Sequence, residues 1–168
     1  HGVKIISALL SNNIKIKLRP HPQSWISDKE ALAIISNRFL DNQMFEFDNE
    51  KDVIKSLANS RAVICDINSG LVFDNILYHK RPVVAFDFGW ESIGYESYYL
   101  SKETSTKELL DKGGAIINED NLSSIGEIIK DLDGFTLEHI NPNQFVSNFQ
   151  NAGNVAAQQI LDISDKIS

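Results

Sequence analysis

The chain has 168 residues, of which 42% are hydrophobic and 23% charged, a net charge of −7 and one cysteine. That length makes one domain with enough buried surface for a core, and the acidic balance lacks the basic face of a general nucleic-acid binder, so no nucleic-acid partner is expected. A single cysteine excludes an internal disulfide and any cysteine-based zinc site, and the apolar runs are far too short to span a bilayer.

Taken in order, Val3 to Leu10 reads as a helix with Ile5, Ile6, Leu9 and Leu10 on one face. Ile14, Ile16 and Leu18 alternate with lysines at the period of a strand. Ser27-Asp28-Lys29-Glu30 has the form of a capping box, which predicts a helix from Ser27 to about Phe39. Met44 to Phe47 is a short strand. Lys51 to Asn59 is helical, with Val53, Ile54 and Leu57 expected to face inward. Ala62 to Cys65 is a continuous apolar strand of the kind buried on both faces, and Cys65 within it reads as an inert buried residue. A helix over Gly70 to Tyr78 leads to a second buried strand, Val83 to Phe86. Ser105-Thr106-Lys107-Glu108 is another capping box. Its helix ends at Gly113-Gly114, and Ala115 to Ile117 follows as a strand. Leu122 to Leu132 is helical, and Asn143 to Ile163 reads as one or two helices with a break near Gly153. The irregular stretch Asp87 to Thr104 has the length of a binding loop or lid.

Strands alternating with helices predict an α/β fold, a Rossmann-like parallel sheet with helices on both faces. In such sheets ligands sit beyond the carboxyl ends of the strands. Two of those ends stand out. The first is Arg19-Pro20-His21-Pro22, where two prolines hold an imidazole at a stiff strand tip. His21 there suits donation to a phosphate oxygen or general acid work, and Arg19 suits bidentate pairing with the same anion. A turn in which His21 merely satisfies a neighbouring carbonyl explains the tetrapeptide equally well. The second is Asp66 to Phe86, in which a strand runs through Asn68-Ser69-Gly70 into a helix. The first N–H groups of that helix are expected to be unpaired and to cradle a phosphate, with Gly70 admitting close approach and Ser69 adding a hydroxyl. Plain capping by Asn68 or Ser69 is the competing account. Both ends belong to one edge of the sheet, so His21 is expected within reach of the Asn68 to Gly70 turn. Trp25 and Trp90 are candidates for stacking on a base. His79 reads as a cation at a helix end, His139 has no partner in view, and no spacing of His, Asp and Glu reads as a metal site.

Together, the segments KLRPHP, FEFDNEKDVIKSLANSRAVICDINSGLVFDNILYHKRPVVAFDF and FQNAGNVAAQQIL resemble the CDP-glycerol glycerophosphotransferase family of teichoic acid synthesis. More broadly they resemble the C-terminal, nucleotide-binding half of GT-B glycosyltransferases. The resemblance covers most of residues 14 to 163. The family's serine pair falls on Ser69-Gly70 when Phe73-Asp74 is matched to its F-D, and Asn68 then takes a tyrosine's place. The resemblance implies a transferase domain that binds a CDP-activated donor as its substrate, with no further cofactor. Glycerol phosphate, or a related polyol phosphate, would pass to a membrane-linked polymer acceptor. It implies donor-phosphate contacts from Arg19, His21, Asn68, Ser69 and Gly70, with His21 as the catalytic residue and Asp66, Asp74 and Trp90 supporting or holding the nucleotide. It further implies an N-terminal domain of the same protein to carry the acceptor, so the chain is expected to be a fragment that does not turn over alone. The expected setting is cytoplasmic, peripheral at the inner face of the membrane in the full-length protein. Two alternatives stand beside this reading: a nucleotide-sugar-binding domain of another GT-B enzyme of capsule or surface polysaccharide synthesis, and a non-catalytic α/β binding domain.

Overall fold

The computed structural model describes residues 1–58, 60–88, 105–145 and 158. Within these the chain alternates helix and strand. Helix α1 (Gly2–Ser11) leads to β1 (Ile16–Leu18), then α2 (Ser24–Ser27), α3 (Lys29–Phe39), β2 (Phe45–Phe47), α4 (Val53–Ala58) and β3 (Val63–Asp66). A short α5 (Leu71–Phe73) runs into a π-helical turn (Asp74–Tyr78) before β4 (Val83–Phe86). After α6 (Ser105–Gly113) come β5 (Gly114–Ile117) and α7 (Ile125–Asp131), the latter flanked by 3-10 turns at Leu122–Ser124 and Leu132–Gly134.

The strands fall where apolar runs put them, and every pairing is parallel. They form two small sheets, β1-β2 and β3-β4-β5, where the sequence led to one. The protein is therefore mixed α/β. Side chains alternate across the three-stranded sheet. Val63, Cys65, Val83 and Ala85 face a cluster built with α5, α6, Leu137 and Ile140. Val84, Ile117 and partly buried Ile64 face the opposite cluster, built with Ile5 and Leu9 of α1 and Ile125 and Ile129 of α7. A third cluster joins Ile6 of α1, Phe39 of α3 and Phe45 of β2. Among the described residues no helix is long and apolar enough to cross a membrane.

Three local expectations change. Ser27 does not open the long helix. Its backbone N–H already donates to the Gln23 carbonyl at 2.9 Å, which closes the short α2, and its Oγ bonds to Gln23 O and Asp28 Oδ2. The chain breaks at Asp28, and α3 starts one residue later. In α4 the Asp52 carboxylate accepts from Ile54 N–H at 2.9 Å, so the helix begins late and only Leu57 joins the core, while Val53 and Ile54 stay 41% and 60% exposed. The helix expected over Gly70 to Tyr78 changes register midway. Asn75 Nδ2 takes the Leu71 carbonyl at 2.8 Å, an acceptor that an α-helix gives to the Asn75 backbone, and His79 N–H then reaches back five residues to Asp74 O. The two closing helices, the Gly153 break and nearly all of the suspected lid lie outside the described residues.

Two glycines of this fold predict opposite outcomes. A Cβ at Gly114 would run into the Val83 carbonyl oxygen of the neighbouring strand, a backbone atom that cannot step aside. Gly114→Ala is expected to cost at least about 3 kcal/mol in urea unfolding, in the range of overpacked cores. At Gly70 a Cβ meets nothing within 4 Å and φ is −56°. Gly70→Ala is expected to leave stability unchanged or raise it by about 0.5 kcal/mol.

Candidate functional site

Each of the five described strands is followed by polar residues, and most of those residues serve the protein itself. Past β5, the Asn118 carboxamide oxygen accepts the backbone N–H groups of Asp120 and Asn121, and Glu119 pairs with Lys4 at 2.7 Å. Past β4, Asp87 N–H donates to Ile117 O at 2.8 Å, and the Phe88 ring stacks on His1 with centroids 4.6 Å apart.

An ion pair with a buried carboxylate joins the ends of β1 and β2. Arg19 Nη1 donates to Asp48 Oδ2 and to the Glu50 carbonyl, each at 2.6 Å, and Nη2 reaches Lys51 O at 3.3 Å. Asp48 is 8% exposed. Burial alone would raise its pKa, but hydrogen bonds from Ser56 Oγ, Arg19 and the Glu50 N–H outweigh that penalty and hold it at about 2, below its ordinary 3.8. Asp48 directly follows β2 and was not among the residues singled out in the sequence, whereas Arg19 was expected on a bound anion. Here the guanidinium fork is turned to the end of β2. The legible signal was that two opposite charges directly follow two strands that pair.

His21 follows at the tip and is exposed. Gln23 N–H donates to its Nδ1 at 3.2 Å, which leaves Nε2 as the N–H of the neutral ring. Its backbone carbonyl starts α2 by accepting from Ser24 N–H.

At the end of β3 the expected cradle is mostly closed from within. Asn68 N–H donates to Asp66 Oδ1 at 2.8 Å and Ser69 N–H to Asp66 O at 2.9 Å. Leu71 N–H donates to Ser69 Oγ at 3.2 Å and Val72 N–H to Ser69 O at 3.1 Å. The Gly70 N–H and the Asn68 carboxamide have no partner among the described residues. Asp74 is exposed, and its N–H donates to Gly70 O, so it continues the helix behind the turn. Cys65 lies just beneath. Burial, with the charge of Asp66 adding, pushes its thiol up to about 12 against the opposing Ser69 hydroxyl, so it is no nucleophile.

Trp25 lies on the wall of an open groove of about 520 Å3 between α3 and β2, with Leu32, Ala33, Leu40 and Phe47 beside it. Its ring is 5.7 Å from that of Phe47. His79 packs edge-on against Tyr78, and His139 is exposed. Trp90 lies outside the described residues. Among the described residues no three His, Cys, Asp or Glu side chains gather as a metal site. Comparison of the chain with family models, with curated proteins and with solved structures finds no match.

The Asp48 clamp has a measurable signature. Its folded pKa lies below the unfolded value, so its stabilisation is present above about pH 4 and is lost as pH falls toward 2. A shift of this size corresponds to about 2 kcal/mol. Asp48→Asn is expected to lose about that much stability at pH 7, and to flatten the pH dependence of urea unfolding between about pH 4 and 2. A variant that keeps the wild-type acid slope would show that another carboxylate is responsible.

Proposed function

We propose that the chain is the donor-binding domain of a GT-B-type transferase, most similar in its motifs to the CDP-glycerol glycerophosphotransferases. Its ligand is a CDP-activated glycerol or polyol phosphate, destined for a cell-surface polymer. The reading rests on one observation: at the carboxyl ends of the strands, where most polar groups find partners within the protein, His21 Nε2, the Asn68 carboxamide and the Gly70 N–H are without one among the described residues. All three are donors, as an anionic pyrophosphate requires. They follow β1 and β3, and in an open α/β sheet the strand carboxyl ends are where ligands bind.

In this reading His21 donates from Nε2 to the phosphate that becomes the leaving group. Asn68, the Ser69 hydroxyl and the Gly70 N–H hold the other phosphate. Arg19, drawn to Asp48, braces the strand tip that carries His21, and Asp66 shapes the turn through its two bonds to Asn68 and Ser69.

Titration of 15N-labelled protein with CDP-glycerol, CDP, UDP and GDP tests the reading. The cytidine ligands are expected to perturb the amides of Gly70 and His21 first. His21→Ala and Ser69→Ala are each expected to weaken binding about tenfold, since a hydrogen bond to a charged group contributes roughly 1.5–3 kcal/mol. Preference for UDP or GDP would move the chain to another branch of GT-B enzymes. No nucleotide binding, with the fold intact, would leave the non-catalytic α/β domain.

A further inference from the structure

Strand β2 bonds only to β1 among the described residues, so its other edge is open. In a parallel ladder, alternate residues of a strand bond to the same side. Met44 O accepts from Ile16 N–H, and Asp48 N–H donates to Leu18 O, so Phe45 and Phe47 turn their main chain away from β1. The Phe45 N–H is used locally, by Asn42 O at 2.9 Å. The Phe45 carbonyl and the Phe47 N–H have no partner among the described residues.

The groove of about 520 Å3 beside α3 follows this edge. The side chains of Glu46 and Phe47 point to opposite faces, yet both residues line it, so it runs along the strand rather than over one face. Its other wall is one stripe of α3, where Lys29, Leu32, Ala33, Ser36 and Leu40 recur at helical spacing. The neighbouring stripe, Ile35 and Phe39, packs into the core. Because α3 runs back from the carboxyl end of β1 to the amino end of β2, Lys29 and Trp25 sit by the carboxyl end of β2 and Leu40 by its amino end. Trp25 is 47% and Leu40 55% exposed, so each end of the groove is left with an uncovered apolar side chain. Lys29 and Asp41, at the same two ends, form no ion pair among the described residues.

We propose that this edge is the interface of a symmetric homodimer, in which β2 of a second copy lies antiparallel to β2 across a two-fold axis at Glu46. The open edge asks for a main-chain donor to the Phe45 carbonyl and an acceptor for the Phe47 N–H, a spacing that a polypeptide strand supplies and a small molecule or a lipid does not. The strand's own copy fits. Antiparallel pairing sets Phe47 opposite Phe45 of the second copy, so each Phe47 N–H meets a free Phe45 carbonyl and two equivalent bonds form. The same axis sets the carboxyl end of each groove against the amino end of the other. Trp25 meets Leu40 of the second copy, apolar against apolar, and Lys29 meets Asp41 of the second copy, charge against opposite charge. Parallel pairing would set like against like. Glu46 faces its own copy, but Lys15 and Lys17 lie 3.7 and 3.6 Å from its carboxylate, so cations outnumber carboxylates on that face.

Sedimentation velocity and hydrogen exchange at the Phe47 amide test the proposal together, on the 168-residue chain without nucleotide, so that the outcome is independent of the donor-binding reading. The chain is expected to pass from monomer to dimer as its concentration rises, with the Phe47 amide exchanging at least about tenfold more slowly in the dimer. Leu40→Lys, at an exposed helix end that favours a cation, is expected to keep the fold and leave a monomer. Lys29→Asp sets two carboxylates together on each side of the axis and is expected to weaken the dimer at least about fivefold, and adding Asp41→Lys is expected to restore it. A chain that stays monomeric to about 1 mM would overturn the proposal. So would a dimer whose Phe47 amide stays unprotected, a dimer that Leu40→Lys leaves intact, or one that Lys29→Asp weakens and Asp41→Lys does not rescue.

Discussion

Strand β4 is the constraint on which the rest of the structure leans. It is the one described strand paired on both edges, and Val83, Val84 and Ala85 are all fully buried. Because successive side chains point to opposite faces, Val83 and Ala85 anchor one apolar cluster and Val84 the other. A polar residue at any of the three would leave a group without water or partner in the middle of the sheet. The helices take their places from this alternation. α5 and α6 cover the Val83 face and α1 and α7 the Val84 face, and because β3, β4 and β5 run parallel, the loops that leave their carboxyl ends open to one edge of this sheet.

The strand ends are stiffened by charge past β1 and β2 and by a local turn past β3. The Arg19–Asp48 pair is a contact whose carboxylate is buried and whose guanidinium is still 30% exposed. This mixed environment favours a net gain: Asp48 receives three kinds of donor, while Arg19 keeps part of its hydration. By drawing the Glu50 and Lys51 carbonyls onto the same guanidinium, the pair fixes the path out of β2 relative to the path out of β1. The Asp66 turn does the equivalent for β3 with neutral backbone donors. Loops held this way lose little further entropy when a ligand orders them.

The elements most legible in the sequence were those in which burial and local pattern agree. β3 and β4 were visible as continuous apolar runs, and α1 as a stripe of Ile5, Ile6 and Leu9. Ser27 misled because a capping box is a local pattern, and the prolines before it had already turned the chain into α2, which used the Ser27 N–H. The shift at Asn75 was invisible for a related reason. A side chain competing for a carbonyl in its own helix depends on full burial, and no window of sequence reports that. The division into two sheets was illegible because strand character says nothing about which strands are neighbours. For the candidate site, the strand-end rule found Arg19, His21, Asn68, Ser69 and Gly70, but residue type could not say which of them the protein would use internally.

Asn75 and Gly70 show how that last distinction is drawn. Both carry a polar group without a partner among the described residues, Oδ1 in one and N–H in the other. Asn75 is fully buried, so its orphan acceptor carries a desolvation cost of about 1–3 kcal/mol and reads as a local strain of the π-helical turn. Gly70 is exposed, so water satisfies its N–H at no such cost. Nor does its backbone require glycine: φ is in the ordinary helical range and the space a Cβ would take is open. Neither packing nor conformation selects the residue. What glycine supplies at that position is an unobstructed main-chain donor at the carboxyl edge of the sheet, and that is the property on which the donor-phosphate reading depends.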